Sequence, residues 1–251
     1  VAEIHVGFAT LMDKAFTLTE RQEQLGGLGP DGTWAPVERE ASRPYYKVPT
    51  LDGPADLETA RRRILFPYTY CDGAWVVVPW EELAQQWPLA AAHLLRWQSA
   101  LGRRDKGRVP ADGWYAWGRR QSFDAQGPKL LTRTFNKRPN FVLDPTDALF
   151  CNGYSVAPRA GAPLSPEGLG RLLNSRLMHY YSCVTSFHIQ GGFQCYQKNF
   201  LQSFAVASHA GLLGALNAGD VDDDEVERAY GVDSGEVATL LARYHGRGAE
   251  R

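Results

Sequence analysis

Several stretches of this chain carry side chains able to grip or read a partner. Trp114-Tyr115-Ala116-Trp117-Gly118-Arg119-Arg120-Gln121 interleaves three aromatic rings with two guanidinium groups and an amide. A guanidinium can hold a phosphate or a guanine edge bidentately, and a glutamine amide can pair with adenine. The rings suit burial in the core, which leaves Arg119, Arg120 and Gln121 as the candidates for contact. Arg103-Arg104-Asp105-Lys106-Gly107-Arg108 follows a helical pattern, so its cations could complement a helix C-terminus. Five charged side chains in six positions exceed that need, which points Arg103, Arg104, Lys106 and Arg108 toward phosphates. Lys129, Arg133, Lys137 and Arg138 continue the series; a strand edge guarded by cations is the competing account. Residues 186–198 read as a polar loop whose Gly191-Gly192 pair allows close approach to another backbone. That loop offers His188, Gln190, Gln194, Tyr196 and Lys198 to base edges, unless it is simply a surface loop.

Bond-breaking chemistry finds far less. There is no P-loop, no HExxH and no GxSxG elbow. A methyl donor such as S-adenosylmethionine usually sits at a Gly-rich strand-to-helix turn. Gly27-Leu28-Gly29 is the nearest approach, followed by Pro30 with no strong helix after it. Adenine methylation also needs polar acceptors for the exocyclic amine and a ring to stack on the flipped base. The usual tetrapeptide, Asn, Asp or Ser followed by two prolines and an aromatic residue, does not occur. His179, Cys183, His188 and Cys195 lack the spacing of a zinc finger, so a packed histidine with buried thiols is the expectation there. No catalytic residue and no metal ligand is assigned.

The elements that must position these groups read as α+β, with short mixed or antiparallel strands and several packed helices. Val6–Thr10 and Lys14–Leu18 read as strands about a tight turn, 25–34 as loop, and Arg61–Tyr68 as a buried strand entering a proline turn. Strand continues over 74–79. Helices follow from Glu81 and from Pro88, the second stopping at Gly102. Short strands and turns fill 107–158, and Ser165-Pro166-Glu167-Gly168 starts a helix carrying Leu169, Leu172, Leu173, Leu177 and Tyr180, with Asn174-Ser175 ending or kinking it. A last helical pair covers 222–230 and 234–244, Asp222-Asp223-Asp224 forming an N-terminus. The expected division is a recognition domain over 1–216 and an acidic helical extension over 217–251 packed on it.

Of the 251 residues, 27 are Lys or Arg and 28 Asp or Glu, and the formal charge of −1 hides a segregation. Arg96 to Arg138 holds eleven cations against Asp105, Asp112 and Asp124, whereas nine acids face four arginines after Asn217. A basic middle of this kind implies a polyanionic partner. Four unevenly spaced cysteines form neither a disulfide framework nor a CxxC pair, and no signal peptide or membrane-spanning run is seen, so a cytoplasmic setting is expected. The chain opens on Val1 rather than methionine, as a piece of something longer would.

Taken in order, the motifs resemble the TaqI-like specificity domain of adenine-specific DNA methyltransferases from restriction-modification systems. Gly7-Phe8-Ala9-Thr10 with Ala15-Phe16 resembles the opening strands, and Arg63-Ile64-Leu65-Phe66-Pro67-Tyr68 an apolar strand ending in Pro-Tyr. Trp87-Pro88-Leu89-Ala90, Leu94-Leu95 and Leu101-Gly102-Arg103-Arg104 match the family's helix. Trp114-Tyr115, Gly118-Arg119, Gln121 and Pro128-Lys129-Leu130-Leu131 match its central strands. Gly153-Tyr154-Ser155-Val156, Leu172-Leu173-Asn174-Ser175-Arg176-Leu177, Lys198-Asn199-Phe200-Leu201 and Tyr230-Gly231-Val232 follow. The resemblance covers nearly the whole chain and implies a module that binds double-stranded DNA and positions an adenine. Catalysis would belong to a partner methyltransferase domain, with S-adenosylmethionine as its cofactor and no cofactor here. A free-standing specificity subunit of a restriction-modification complex is the alternative. A small-ligand enzyme built on the Trp-rich segment lacks an acid/base pair.

Overall fold

Turns that demand positive φ divide much of this chain into short ribbons. Asp72 and Gly73, at φ 50 and 82, close the two-stranded ribbon of β7 (Tyr68–Cys71) and β8 (Ala74–Val77), the Asp-Gly pairing such turns favour. The computed structural model describes residues 1–108 and 110–247. Its largest sheet has six strands in the order β12 (Leu149–Cys151), β5 (Ser42–Lys47), β6 (Arg62–Leu65), β2 (Thr17–Arg21), β3 (Gln24–Leu28), β4 (Trp34–Pro36). Only β12 runs parallel to its neighbour in that sheet. A second sheet orders β1 (Ala2–Val6), β13 (Tyr154–Pro158), β9 (Lys129–Thr132) and β11 (Val142–Asp144), all antiparallel. A small third sheet joins β10 (Phe135–Asn136), β15 (Phe193–Cys195) and β14 (His188–Ile189).

The helices are α1 (Asp13–Phe16), α2 (Asp56–Thr59), α3 (Trp80–Gln86), α4 (Pro88–Gly107), α5 (Pro166–Leu173), α6 (Arg176–Thr185), α7 (Lys198–Leu201), α8 (Ala210–Ala218), α9 (Asp223–Ala229) and α10 (Ser234–Arg247). Mixed strands and packed helices bear out the α+β expectation. The N-terminus of α4 is closed from outside the helix: the Glu38 carboxylate accepts from Leu89 N and Ala90 N, both at 2.8 Å. Ala90, Leu94, Trp97 and Leu101 of α4 share one core with Phe16 of α1 and with Leu18, Ile64 and Tyr45 of the six-stranded sheet. Each large apolar side chain buried this way stabilises the fold by about 1.5–3 kcal/mol. A second core collects α5, α6, α8 and α9 over the β1–β13–β9–β11 sheet, and Tyr46, Val48, Leu131, Val142 and Phe150 fill a third between the sheets.

Asn174 and Ser175 do break the predicted helix, into α5 and α6, with the Ser175 hydroxyl accepting from Met178 N at 3.3 Å as the cap of α6. Asp222 likewise caps α9, accepting from Glu225 N at 2.8 Å. Other expectations differ from the structure: β1 ends at Val6 and Asp13–Phe16 is the helix α1, so Val6–Thr10 and Lys14–Leu18 are not two strands about a turn, and α4 passes Gly102 before its backbone breaks at Arg104. Residues 25–34 are not loop throughout, since β3 pairs with β4 from Gly26↔Pro36 to Leu28↔Trp34. A Cβ at Gly27 would lie 2.5 Å from the His93 ring, so this glycine serves close packing. With a strand following instead of a helix, the stretch does not fit a methyl-donor turn. Residues 186–198 are likewise not one loop, because β14 and β15 form a hairpin over Gly191-Gly192.

His93 is buried, its Nε2 2.9 Å from the Ala15 carbonyl, and burial holds its pKa below the usual 6.5. The unfolded chain therefore takes up a proton near pH 6.5 that the folded chain refuses, so stability is full above that pH and falls below it. The melting temperature should drop between about pH 7.5 and about pH 5.5, and His93→Gln should flatten that dependence. Calorimetry of both proteins across the range checks it.

Candidate nucleic-acid interface

Residues 114–121 form no long strand. They run as turns over an aromatic cluster. Tyr115 and Trp117 are buried, Trp117 packing at 4.4 Å from Phe8 and 5.5 Å from Phe66, and Tyr115 donating to the Val78 carbonyl at 2.7 Å. The rings thus serve the core, and the next residues are delivered to the surface. Arg119 makes an antiparallel bridge with Ala9, its N–H donating to the Ala9 carbonyl at 2.8 Å.

That bridge forms one side of a groove of about 530 Å³ lined by Arg119, Gln121, Arg133, Phe135, Asn152 and Tyr154 among others. The groove lies at a seam. Phe8 bridges Cys151 in parallel, so the chain leaving β1 is laid against the end of β12. Such closeness needs glycine: a Cβ at Gly7 would lie 2.8 Å from the Cys151 Cα, and one at Gly153 2.6 Å from the Thr132 carbonyl.

The groove continues onto the third sheet through Phe135, whose ring is 38 % exposed and 6.4 Å from that of Phe187. Phe187, 51 % exposed, packs edge-on against Phe200 at 5.7 Å. Lys137 lies 5.4 Å over the Phe193 ring. This face therefore combines cations, amides and partly exposed rings, which can hold phosphates and stack on bases. Phe135, Phe187, Asn152 and Tyr154 had not been singled out from the sequence; an aromatic between cations, as in Arg133-Thr134-Phe135-Asn136-Lys137, is the signal that could have marked the first.

The sixteen candidates separate by depth. Arg119, Gln121 and Arg133 line the groove, Arg133 donating to the Leu51 carbonyl at 2.9 Å and pairing with Asp52. Lys137, Arg138, Gln190 and Lys198 are exposed on the third sheet or its flanks. Arg103, Lys106 and Arg108 are exposed around the end of α4, away from the groove lining, with Arg103 donating to Ser99 Oγ at 2.7 Å. Arg120 pairs with Asp112 at 2.7 Å and lies 5.7 Å over the Tyr68 ring. His188 falls on β14 with its side chain outside the described residues.

Four candidates are internal and are corrected. Arg104 is buried where the backbone leaves helical geometry; its guanidinium donates to the carbonyls of Thr10 at 2.9 Å, Trp114 at 3.2 Å and Ala116. Burial lowers its pKa, the expected effect on a cation taken from water. Lys129 is 1 % exposed and pairs at 3.0 Å with Asp144, itself wholly buried, also donating to the Thr146 carbonyl at 2.8 Å. Gln194 is buried on β15. Tyr196 is buried with its hydroxyl 3.1 Å from Ser182 Oγ, and burial raises its pKa. None of these four can meet a partner on this surface. The thiols of Cys183 and Cys195 are also buried, which pushes the former up to about 11. Among the described residues no three His, Cys, Asp or Glu side chains gather as a metal site, and no helix is long and apolar enough to cross a membrane.

The acidic end is engaged elsewhere. Arg176 at the start of α6 donates to Glu227 at 2.6 Å through both Nε and Nη2 and pairs with Asp224, which raises its pKa. The groove cations are left out of that network.

No protein-family model and no curated protein matches this chain. Its fold is similar to a solved structure, that of the Type IIL restriction-modification enzyme MmeI in complex with DNA, with a TM-score of 0.53 and 13% sequence identity. The match covers 98% of this chain and 35% of that one, so the chain spans about a third of its neighbour's length. At that identity the likeness is one of fold.

The burial of Arg104 and Lys129 is testable. Arg104→Lys should destabilise by about 2 kcal/mol, because an ammonium cannot reach three carbonyls as a planar fork does. Arg103→Ala, one residue away, should leave stability within about 0.5 kcal/mol. Lys129→Met strands the Asp144 carboxylate and should cost about 3 kcal/mol or more, much of it recovered by Lys129→Met with Asp144→Leu. Urea unfolding of the variants checks all three.

Proposed function

We propose that this chain is the DNA target-recognition module of a restriction-modification enzyme. It binds duplex DNA along the Arg119–Gln121–Arg133 groove and the adjoining three-stranded sheet. The observation that carries this reading is the convergence itself. Two stretches far apart in sequence, 119–138 and 187–198, meet around Phe135, and together they supply phosphate-binding cations, base-reading amides and exposed rings. A fold shared with a restriction-modification enzyme solved on DNA supports the same reading.

In the mechanism this implies, exposed cations such as Arg119, Lys137 and Lys198 meet phosphates, which gives most of the affinity and its salt dependence. Gln121 and Gln190 reach base edges, each good bidentate pair discriminating by about 1–3 kcal/mol. Phe135 and Phe187 offer ring faces to a base leaving the stack.

The finer reading is a TaqI-like module serving an adenine-specific methyltransferase. It is supported by the order of the motifs from Gly7-Phe8-Ala9-Thr10 to Tyr230-Gly231-Val232. On that reading, transfer and S-adenosylmethionine binding belong to a catalytic domain outside these residues. This chain's part is to hold the duplex and present the target adenine.

Duplex binding followed by gel shift tests the proposal. The wild-type protein should bind with an affinity that falls linearly in log–log plots against salt. Arg119→Ala and Lys198→Ala should each weaken binding evenly across sequences and lower the salt slope by about one. Gln121→Ala should instead narrow the gap between preferred and other sequences. Unchanged affinity in both cation variants would remove the proposed surface, and a wild-type protein indifferent to duplex DNA would remove the function.

A further inference from the structure

A second groove, of about 640 Å³ and sharing no lining residue with the one described above, is walled by Arg39, Arg61, Arg62 and Arg63, with Glu20 and Glu58 opposing them. Arg61 precedes β6 and Arg62 and Arg63 open it, a strand the sequence presents as buried. It is buried only from Ile64 onward, and Arg61 and Arg62 are exposed. Arg63 is held in place by its own fold, donating to Ser42 Oγ at 2.8 Å, the Ser42 carbonyl at 2.9 Å and the Arg39 carbonyl at 3.1 Å. Arg39 pairs with Glu20. Among the described residues no carboxylate lies within ion-pair distance of Arg61, Arg62 or Arg63.

Three adjacent guanidinium groups without a matched acid form a local excess of positive charge that an anion would relieve. Desolvation together with the neighbouring Arg39 and Arg61 charges lowers the Arg63 pKa, the direction expected of crowded cations. The groove has no aromatic wall, its apolar lining being Leu18, Leu25 and Pro44, so nothing there would hold a nucleobase. Its chemistry suits a phosphodiester backbone read as charge alone. In the chain, Pro49 of the first groove is followed within a dozen residues by Glu58, on α2, and Arg61 of the second.

We infer that the Arg39–Arg61–Arg62–Arg63 groove is a second, sequence-independent contact for the phosphodiester backbone of nucleic acid, in addition to the groove at Arg119. This rests on the DNA-binding reading above.

The experiment is fluorescence anisotropy of a labelled duplex over a salt series, using the whole chain and folding checked by thermal melting. Arg61→Gln with Arg62→Gln removes only exposed groups and spares Arg63. It should weaken binding about tenfold near 0.1 M salt and lower the salt slope by about two, while leaving sequence preference unchanged. Glu58→Gln, which removes an opposing charge, should tighten binding. A double variant with the wild-type affinity and slope would overturn the inference and leave the first groove standing. A wild-type protein that binds no duplex would overturn both.

Discussion

The Arg104 guanidinium sets the geometry on which the candidate surface depends. Taking a guanidinium out of water is unfavourable by several kcal/mol unless its donors are satisfied. Here three carbonyls, those of Thr10, Trp114 and Ala116, accept from Nη1 and Nη2, while Nε finds no partner. These carbonyls belong to segments far apart in sequence, so one side chain at the end of α4 ties the Thr10 turn to the Trp-rich stretch. The backbone accommodates it by leaving the helix, with Asp105 and Lys106 at φ 47 and 60. Arg119 then bridges Ala9 because both segments have already been drawn together. A surface cation is thus positioned by a buried one of the same type fifteen positions earlier in the chain.

The same logic places the groove at the seam between sheets and not on either sheet face. Within each sheet the strands satisfy one another, and their faces are occupied by the cores. At the junction of β1 with β12, the close approach of Gly7 and Gly153 leaves room for neither side chain nor helix, and the space above it stays open. Asn152, at φ 58, turns the chain there, a conformation asparagine tolerates better than most residues. The opening of the groove is a consequence of backbone packing beneath it.

What the sequence discloses is residue type and period; what it conceals is depth. The long α4, the break at Asn174-Ser175 and the acid-capped α9 were legible because each rests on local chemistry: a 3.6 period, a side chain able to bond its own backbone, acids at a positive helix end. Arg103 and Arg104 look alike in the sequence, yet one faces water and the other lies inside, because the backbone leaves helical geometry at Arg104. Lys129 shows the same limit, as its burial depends on Asp144 being across the sheet from it in β11. The Gly-rich 25–34 stretch looked like loop because glycine is a poor strand former. In the fold, tertiary contact overrides that preference, the missing side chains making way for Trp34 and His93. Arg61-Arg62-Arg63 escaped notice for the opposite reason: the apolar residues after it suggested burial for the whole strand.

A net charge of −1 is a poor guide to such a molecule. The acids of the C-terminal end could in principle have folded back on the basic middle and cancelled it. Asp222, Asp223, Asp224 and Glu225 are instead arranged at the N-terminus of α9, where the helix dipole favours them, and Arg176 of α6 clasps Asp224 and Glu227. Charges neutralised within a structural pair contribute little to the field at a distance, whereas unpaired ones on a rigid groove contribute fully. The two populations of cations therefore have different uses. Arg104, Lys129 and Arg176 hold the elements together, and Arg119, Arg61, Arg62 and Lys198, exposed and without carboxylate partners among the described residues, generate the field that a polyanion would feel. The segregation that matters for recognition is the division between cations buried or locked in the fold and those left at the surface, more than that between the middle of the chain and its end.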